Sequence, residues 1–161
     1  MRVAVGFDHA GFPLRETVVA ELARAGHDVI DCGTDSEQSV DYPVHAARAA
    51  KLVSDGTAER AVLACGSGIG VSIVANKLAR VRAVNARDPD DAEMSRRHND
   101  ANVLALAGRK LTPEHAAQIV ETFFATGFEG GRHERRVTQI SEVEQGELPG
   151  GTPTEAEEAT R

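Results

Sequence analysis

The run Ala61-Val62-Leu63-Ala64-Cys65-Gly66-Ser67-Gly68-Ile69-Gly70-Val71 puts a cysteine at the edge of a glycine-rich turn, behind an apolar strand pattern and ahead of a helical one. Backbone N–H groups converge in such a turn, and the helix that follows adds the positive end of its dipole. Negative charge is stabilised there, on a thiolate or on a ligand oxygen. Cys65 is therefore a candidate base or nucleophile, with Gly66, Ser67, Gly68, Ile69 and Gly70 as a cradle for an oxyanion. A free cysteine at a strand end is as often a small buried residue, and it is the surrounding glycines that favour chemistry. The same glycines admit a dinucleotide reading, with Asp88 about 20 residues on as the ribose-binding acid. That reading is the weaker one, because Gly66-x-Gly68-x-Gly70 lacks the last spacing of GxGxxG and follows the third strand pattern, not the first.

Other candidates stand elsewhere in the chain. Asp8-His9 directly follows the first strand pattern, where a ligand contact competes with a helix cap and a surface histidine. Asp41-Tyr42-Pro43 reads more readily as helix-start chemistry than as a contact. Arg132-His133-Glu134-Arg135-Arg136 is a compact basic cluster in an acidic protein. Arg132 and Arg136 stand four apart, so a helix projects both guanidinium forks from one face, able to converge on a phosphate. Arg109, just past the fifth strand pattern, is placed to join them. Cys32 reads as structural, and His27, His45 and His115 carry no role.

These residues must be positioned by alternating strands and helices. Strand patterns cover Arg2 to Phe7, Val29 to Cys32, Arg60 to Cys65, Arg82 to Asn85 and Val103 to Ala107. Helical patterns lie between them: from Pro13 through Leu14, Val18, Leu22 and Ala25; Val44 to Val53; Val71 to Lys77; Pro89 to His98; and after Thr112-Pro113 through Ala116, Ile119, Val120 and Phe123. Such alternation predicts a single Rossmann-like, doubly wound α/β domain: a five-stranded parallel sheet with helices on both faces. Ligands bind such sheets at the carboxyl ends of the strands. A last helix, Arg132 to Glu144, has no strand after it and is expected to pack on the body or on a second subunit. The domain is thus expected to span residues 1–144, with 145–161 a disordered acidic tail, because its Gly, Pro and Glu content cannot bury apolar area.

His98-Asn99 poses a geometric problem within this plan. The helix that carries it returns toward the start of the fifth strand, at the opposite end of the sheet from Cys65. If His98 acts with Cys65, a second copy of the chain must bring it there, so a homodimer with interfacial sites is expected.

The bulk composition narrows the function classes. At 161 residues, 41% hydrophobic, the chain suits one domain with a real core. A net charge of −7 argues against nucleic acid as the main partner. No leader pattern and no membrane-length apolar stretch is apparent, and two cysteines are too few for a disulfide framework. A soluble cytoplasmic protein is expected.

Read together, Gly6-Phe7-Asp8-His9-Ala10-Gly11-Phe12, Asp41-Tyr42-Pro43, Cys65-Gly66-Ser67-Gly68-Ile69-Gly70, Ala75-Asn76-Lys77, Arg97-His98-Asn99-Asp100 and Gly130-Gly131-Arg132-His133 resemble the type B ribose-5-phosphate isomerases and their galactose-6-phosphate isomerase relatives, from Met1 to Glu144. The resemblance implies a homodimer, sometimes paired further, that interconverts a phosphorylated aldose and ketose with no metal or other cofactor. It carries onto Cys65 the base role, onto His98 the proton transfer that opens the sugar ring, and onto Asp8 and His9 substrate contacts. Gly66 to Gly70 would hold the enediolate oxygens, with Asn99, Arg109, Arg132 and Arg136 completing the pocket around sugar and phosphate. One branch of the family uses a glutamate just after the glycine turn, where this chain has Val71, which places it in the cysteine-based branch.

Such chemistry matches the residues. Moving a carbonyl from C1 to C2 requires a base for a weakly acidic C–H and aimed donors for the growing oxyanion. The leading expectation is interconversion of ribose 5-phosphate and ribulose 5-phosphate. A four-carbon erythrulose phosphate or a six-carbon sugar 6-phosphate is the near alternative, and a non-catalytic nucleotide-binding module is the alternative of a different class.

Overall fold

The computed structural model describes residues 1–150. Five strands, β1 (Arg2–Phe7), β2 (Asp28–Asp31), β3 (Arg60–Cys65), β4 (Ala83–Asn85) and β5 (Val103–Ala107), form one sheet in the order β2-β1-β3-β5-β4. Every pairing is parallel, with Val5 opposite Val62 and Val62 opposite Leu104 across the centre. The helices are α1 (Arg15–Arg24, after a short 3-10 turn at Phe12–Leu14), α2 (Tyr42–Ser54), α3 (Ile69–Ala75), α4 (Pro89–Asn99), α5 (Pro113–Ala125) and α6 (Arg132–Glu144). The doubly wound plan expected from the alternating patterns is the plan observed.

The central strands read as continuous apolar runs because both of their faces are covered. On one face Phe7, Val18, Leu22, Leu104, Ile119 and Phe123 pack under α1, α4 and α5. The other core is alanine-rich, with Ala46, Ala49 and Ala50 of α2 and Ala75 of α3 against Leu63 and Val103. Small side chains let α2 lie close to the sheet. A Cβ on Gly6 would come within 2.8 Å of the His45 carbonyl oxygen.

Local chemistry sets the boundaries. Thr112 accepts from the His115 N–H ahead of Pro113 to start α5. Asp88 accepts from the Asp91 N–H at 2.9 Å and starts α4. That bond corrects the dinucleotide reading, since the carboxylate offered to a ribose is a helix cap. The left-handed Gly68 (φ 74) lets α3 begin at Ile69, two residues before the apolar pattern suggests. Among the described residues no helix is long and apolar enough to cross a membrane. The expected tail lies, from residue 151 onward, outside the described residues.

Candidate active site

Cys65 ends β3 with 4% of its surface exposed. The chain beyond it is tied to the loop after β5: Gly108 N–H donates to the Cys65 carbonyl at 2.8 Å and Arg109 N–H to the Gly66 carbonyl at 3.2 Å. On the other side, Asp8 N–H donates to the Ala64 carbonyl at 3.2 Å. The Asp8 carboxylate, 5% exposed, accepts from Ala10 N–H at 2.9 Å and Gly11 N–H at 2.7 Å. Its oxygen therefore braces the β1 loop. His9 Nδ1 accepts from Val40 N–H at 3.2 Å, which fastens the segment before α2 to the same edge.

The glycine turn sits inside this frame. Ser67 Oγ accepts from Ile69 N–H at 3.3 Å, and the N–H groups of Gly66, Ser67 and Gly68 donate to no acceptor among the described residues. Arg109 lies alongside, its Cδ and Nε 3.4 Å from where a Gly66 Cβ would be. The Tyr42 ring covers Gly70, 2.7 Å from the corresponding Cβ position. Asn85, at the end of β4, donates through Nδ2 to the Ser67 carbonyl at 3.2 Å. One sheet edge thus gathers Cys65, Asp8, His9, Gly66 to Gly70 and Arg109, as expected from the carboxyl-end rule.

His98 and Asn99 lie at the other end. Asp100, left-handed at φ 46, closes α4 and accepts from Arg96 Nη1 and Arg82 Nη2, each at 2.8 Å. Arg82 Nε also donates to the Asn99 carbonyl at 3.0 Å, which ties the helix end to the start of β4. His98 stacks on the buried His133 of α6, ring centroids 4.3 Å apart and planes 7° from parallel. Arg132 Nε donates to His133 Nε2 at 3.3 Å. Burial pushes His133 below the usual imidazole value, and its electrostatic interactions with His98, Arg132 and Arg136 push it the same way, against Glu129. Nearby, burial first and Arg96 second lower Arg60, at the start of β3, to about 10. Asp100 offsets Arg82 and Arg96 at this end, while Arg132 and Arg136 add positive charge beside the stacked rings, suited to a phosphate dianion.

His98, Glu129 and His133 offer ligand atoms within 4.8 Å of one another. Yet Glu129 already faces Arg97 Nε at 3.3 Å, and the His133 lone pair faces Arg132. This charge pattern opposes a cation and suits an anion.

The two groups cannot meet within one chain. Asn102, just past α4, accepts from Ala61 N–H at the start of β3, whereas Cys65 ends that strand. Roughly 13 Å of strand separates those two residues at about 3.3 Å per residue. Arg109 stands with Cys65, whereas Arg132 and Arg136 stand with His98. The expectation that the three arginines converge is therefore corrected for a single chain: β5 delivers Arg109 to one sheet edge while α6 packs against α4 at the other. A cavity of about 740 Å³ lies between β4, α4 and α6, where Val81, Asn99, Ile140 and Val143 line it, and Cys65 is not part of it.

Sequence reasoning missed His133, Glu129, Tyr42 and Asn85 as neighbours of the site. His133 and Tyr42 stood inside quoted motifs, and the available signal for His133 was its place in the basic cluster beside Arg132. Asn85 and Glu129 gave none, because their roles come from tertiary packing.

A doubly wound α/β subunit with a thiol beside open backbone donors at one edge, and a histidine–arginine cluster at the other, has the layout of an enzyme for small anionic substrates. The chain belongs to the Ribose/Galactose Isomerase family, whose model matches residues 3–140. It is 44% identical over 144 residues to the ribose-5-phosphate isomerase B of Escherichia coli, covering 89% of this chain and 97% of that one. Two solved structures agree. The ribose-5-phosphate isomerase B of Clostridium thermocellum superposes with a TM-score of 0.88 at 41% identity, over 91% of this chain and 99% of that one. The type B ribose 5-phosphate isomerase of Trypanosoma cruzi gives 0.87 at 42% identity, over 91% and 99%.

Proposed function

We propose that this protein is an aldose–ketose isomerase that interconverts ribose 5-phosphate and ribulose 5-phosphate, with Cys65 as the base. The thiolate takes the proton from C2, and the electron pair displaced toward C1 generates an enediolate. The proton returns to C1 while the O2 hydroxyl proton passes to O1, so the composition is unchanged. The glycine turn from Gly66 to Gly70 holds the enediolate oxygens, whose charge the open N–H groups of Gly66, Ser67 and Gly68 offset. Asp8 and His9 contact the sugar. His98 moves the proton that opens the furanose, a task suited to imidazole chemistry near neutral pH. Asn99, Arg109, Arg132 and Arg136 hold the sugar and its phosphate, whose binding energy fixes the reacting carbons.

A homodimer completes the site, with His98, Asn99, Arg132 and Arg136 of one copy facing Cys65 and Arg109 of the other. Two features support it. Asn102, just past α4, meets Ala61 at the start of β3 while Cys65 ends that strand, so one chain does not bring His98 to its own thiol. Apolar side chains also stand exposed on the helices next to the two edges: Ile69 and Ile73 on α3, which follows Cys65, and Ile140 and Val143 on α6, which carries Arg132 and Arg136. Residues 1–144 carry this activity, because α6 ends at Glu144 and the family match ends at 140. Both cysteines are free, which suits the cytoplasm.

The observation that carries the reading is the thiol of Cys65 beside the unpaired N–H groups of the glycine turn, in a chain that matches the family nearly end to end. A coupled assay across four-, five- and six-carbon sugar phosphates tests it. Turnover should be fastest with ribose 5-phosphate, and Cys65→Ser should abolish it while inorganic phosphate still binds. Full activity in Cys65→Ser would remove the base assignment, and a preference for four or six carbons would reassign the substrate.

A further inference from the structure

Asn85 grips the glycine turn from the β4 side. Its Nδ2 donates to the Ser67 carbonyl at 3.2 Å. Its Oδ1 is buried with no partner among the described residues. That oxygen lies against Gly68, 2.2 Å from where a Cβ would stand, so only glycine fits there. The amide cannot be turned over, because its oxygen would then face the Ser67 carbonyl oxygen. Leaving a buried acceptor unpaired is unfavourable, and the fold tolerates it for the sake of the other half of the amide.

The consequence follows from the planarity of the peptide bond. In the trans Ser67–Gly68 peptide the carbonyl and the N–H point to opposite sides. Holding the Ser67 oxygen toward β4 turns the Gly68 N–H away from β4, toward the β1 side, where Asp8 and Cys65 lie. Gly68 is left-handed (φ 74) and has no side chain to restrain the plane. A flipped peptide would present a carbonyl oxygen where an enediolate oxygen needs a donor.

We propose that Asn85 is a positioning residue for the isomerisation, acting through the Ser67–Gly68 peptide to aim the Gly68 N–H at the developing oxyanion. This rests on the isomerase reading above. It differs from a structural role in what it should change: stabilisation of the enediolate, and neither phosphate binding nor the fold.

Asn85→Leu, which has the same branched outline without the amide, and Asn85→Ala, which adds no bulk, test it in the full-length protein. The readouts are kcat and KM for ribose 5-phosphate, inhibition by a phosphorylated hydroxamate that mimics the enediolate, inhibition by inorganic phosphate, and the thermal midpoint. In both variants kcat and hydroxamate affinity should fall together by about 10- to 100-fold, below the loss seen when an oxyanion donor is deleted outright. KM and phosphate inhibition should stay within about twofold. The Asn85→Leu midpoint should hold or rise, because the orphaned oxygen is gone. Near-normal kcat and hydroxamate affinity in either variant would overturn the proposal and leave the isomerase reading intact. So would a parallel collapse of midpoint, KM and kcat in both variants, the mark of a structural residue. Absence of isomerase activity in the unaltered protein, across four- to six-carbon sugar phosphates, would overturn both together.

Discussion

His98 and His133 lie flat against one another, 4.3 Å between ring centroids and 7° from parallel, joining the end of α4 to the start of α6. The buried ring is kept neutral by desolvation and by its cationic neighbours, so it supports His98 without adding a charge that would compete for substrate.

Loss of that support should show in turnover. An aromatic pair contributes about 0.5–1.5 kcal/mol beyond its area, so His133→Ala should lower kcat by up to about tenfold as His98 loses its orientation. His133→Phe keeps a flat partner and should retain most of kcat. Steady-state rates on ribose 5-phosphate decide the matter, and an unchanged kcat in His133→Ala would show the stacking to be incidental.

Acid should destabilise the fold through two imidazoles. Burial lowers His27, whose Nδ1 has no partner among the described residues, and burial lowers His133. The folded state therefore holds these rings neutral, while the unfolded chain takes up protons as pH falls through about 6.5. Their contribution is present above that value and is lost as pH drops toward the lower folded values. Thermal midpoints between pH 7.5 and 5.5 should fall, and His27→Leu should flatten the decline; equal slopes in both proteins would rule His27 out.

Two glycines near Cys65 should respond unequally to a methyl group. A Cβ on Gly108 would sit 2.2 Å from the Ala10 carbonyl oxygen, a backbone atom that cannot yield without parting the β1 and β5 loops. Gly108→Ala should cost about 2 kcal/mol or more, in the range of overpacked cores. The atoms nearest a Cβ on Gly70 belong to the ring of Tyr42, a side chain 39% exposed that can swing aside. Gly70→Ala should lower the midpoint little. Denaturant midpoints compare the two, and equal losses would contradict this account.

The strands and helices were readable because the core strands carry unbroken apolar runs and the helices carry caps such as Thr112-Pro113. β3, β5 and α6 were located to the residue, since Gly, Asn or Gln bounds each run. The glycine turn was misplaced by two residues at its helical side, because a left-handed Gly68 starts a helix earlier than any apolar period can signal. Asn85 was invisible for a different reason. Its bond to Ser67 depends on β4 lying two strands from β3, a relation fixed only when the sheet closes. The separation of His98 from Cys65 could be read in advance, because parallel winding sends every returning helix to the far edge.

Arg132 and Arg136 should act chiefly on phosphate. Each charge-assisted hydrogen bond contributes about 1.5–3 kcal/mol, so Arg132→Ala or Arg136→Ala should raise KM by about 10- to 100-fold. Inhibition by inorganic phosphate should weaken in parallel, with kcat changed less. Titrations with substrate and with phosphate read both effects, and unchanged affinities would place the phosphate elsewhere.

The shared site makes a quantitative demand on mixed subunits. Cys65→Ala chains keep an intact His98 edge, and His98→Ala chains keep an intact thiol edge, yet neither homodimer holds a complete site. Random pairing puts half of the chains into heterodimers, and each heterodimer has one complete site of two, so about a quarter of the unaltered activity should return. If instead each chain used its own Cys65 and His98, every site in the mixture would lack one group, and mixing would restore nothing. Co-refolding the two variants and assaying ribose 5-phosphate isomerisation separates these outcomes. Recovery near one quarter supports the interfacial site. Activity no greater than that of the parents would place His98 outside the catalytic unit, because α4 holds it at the sheet edge opposite its own thiol.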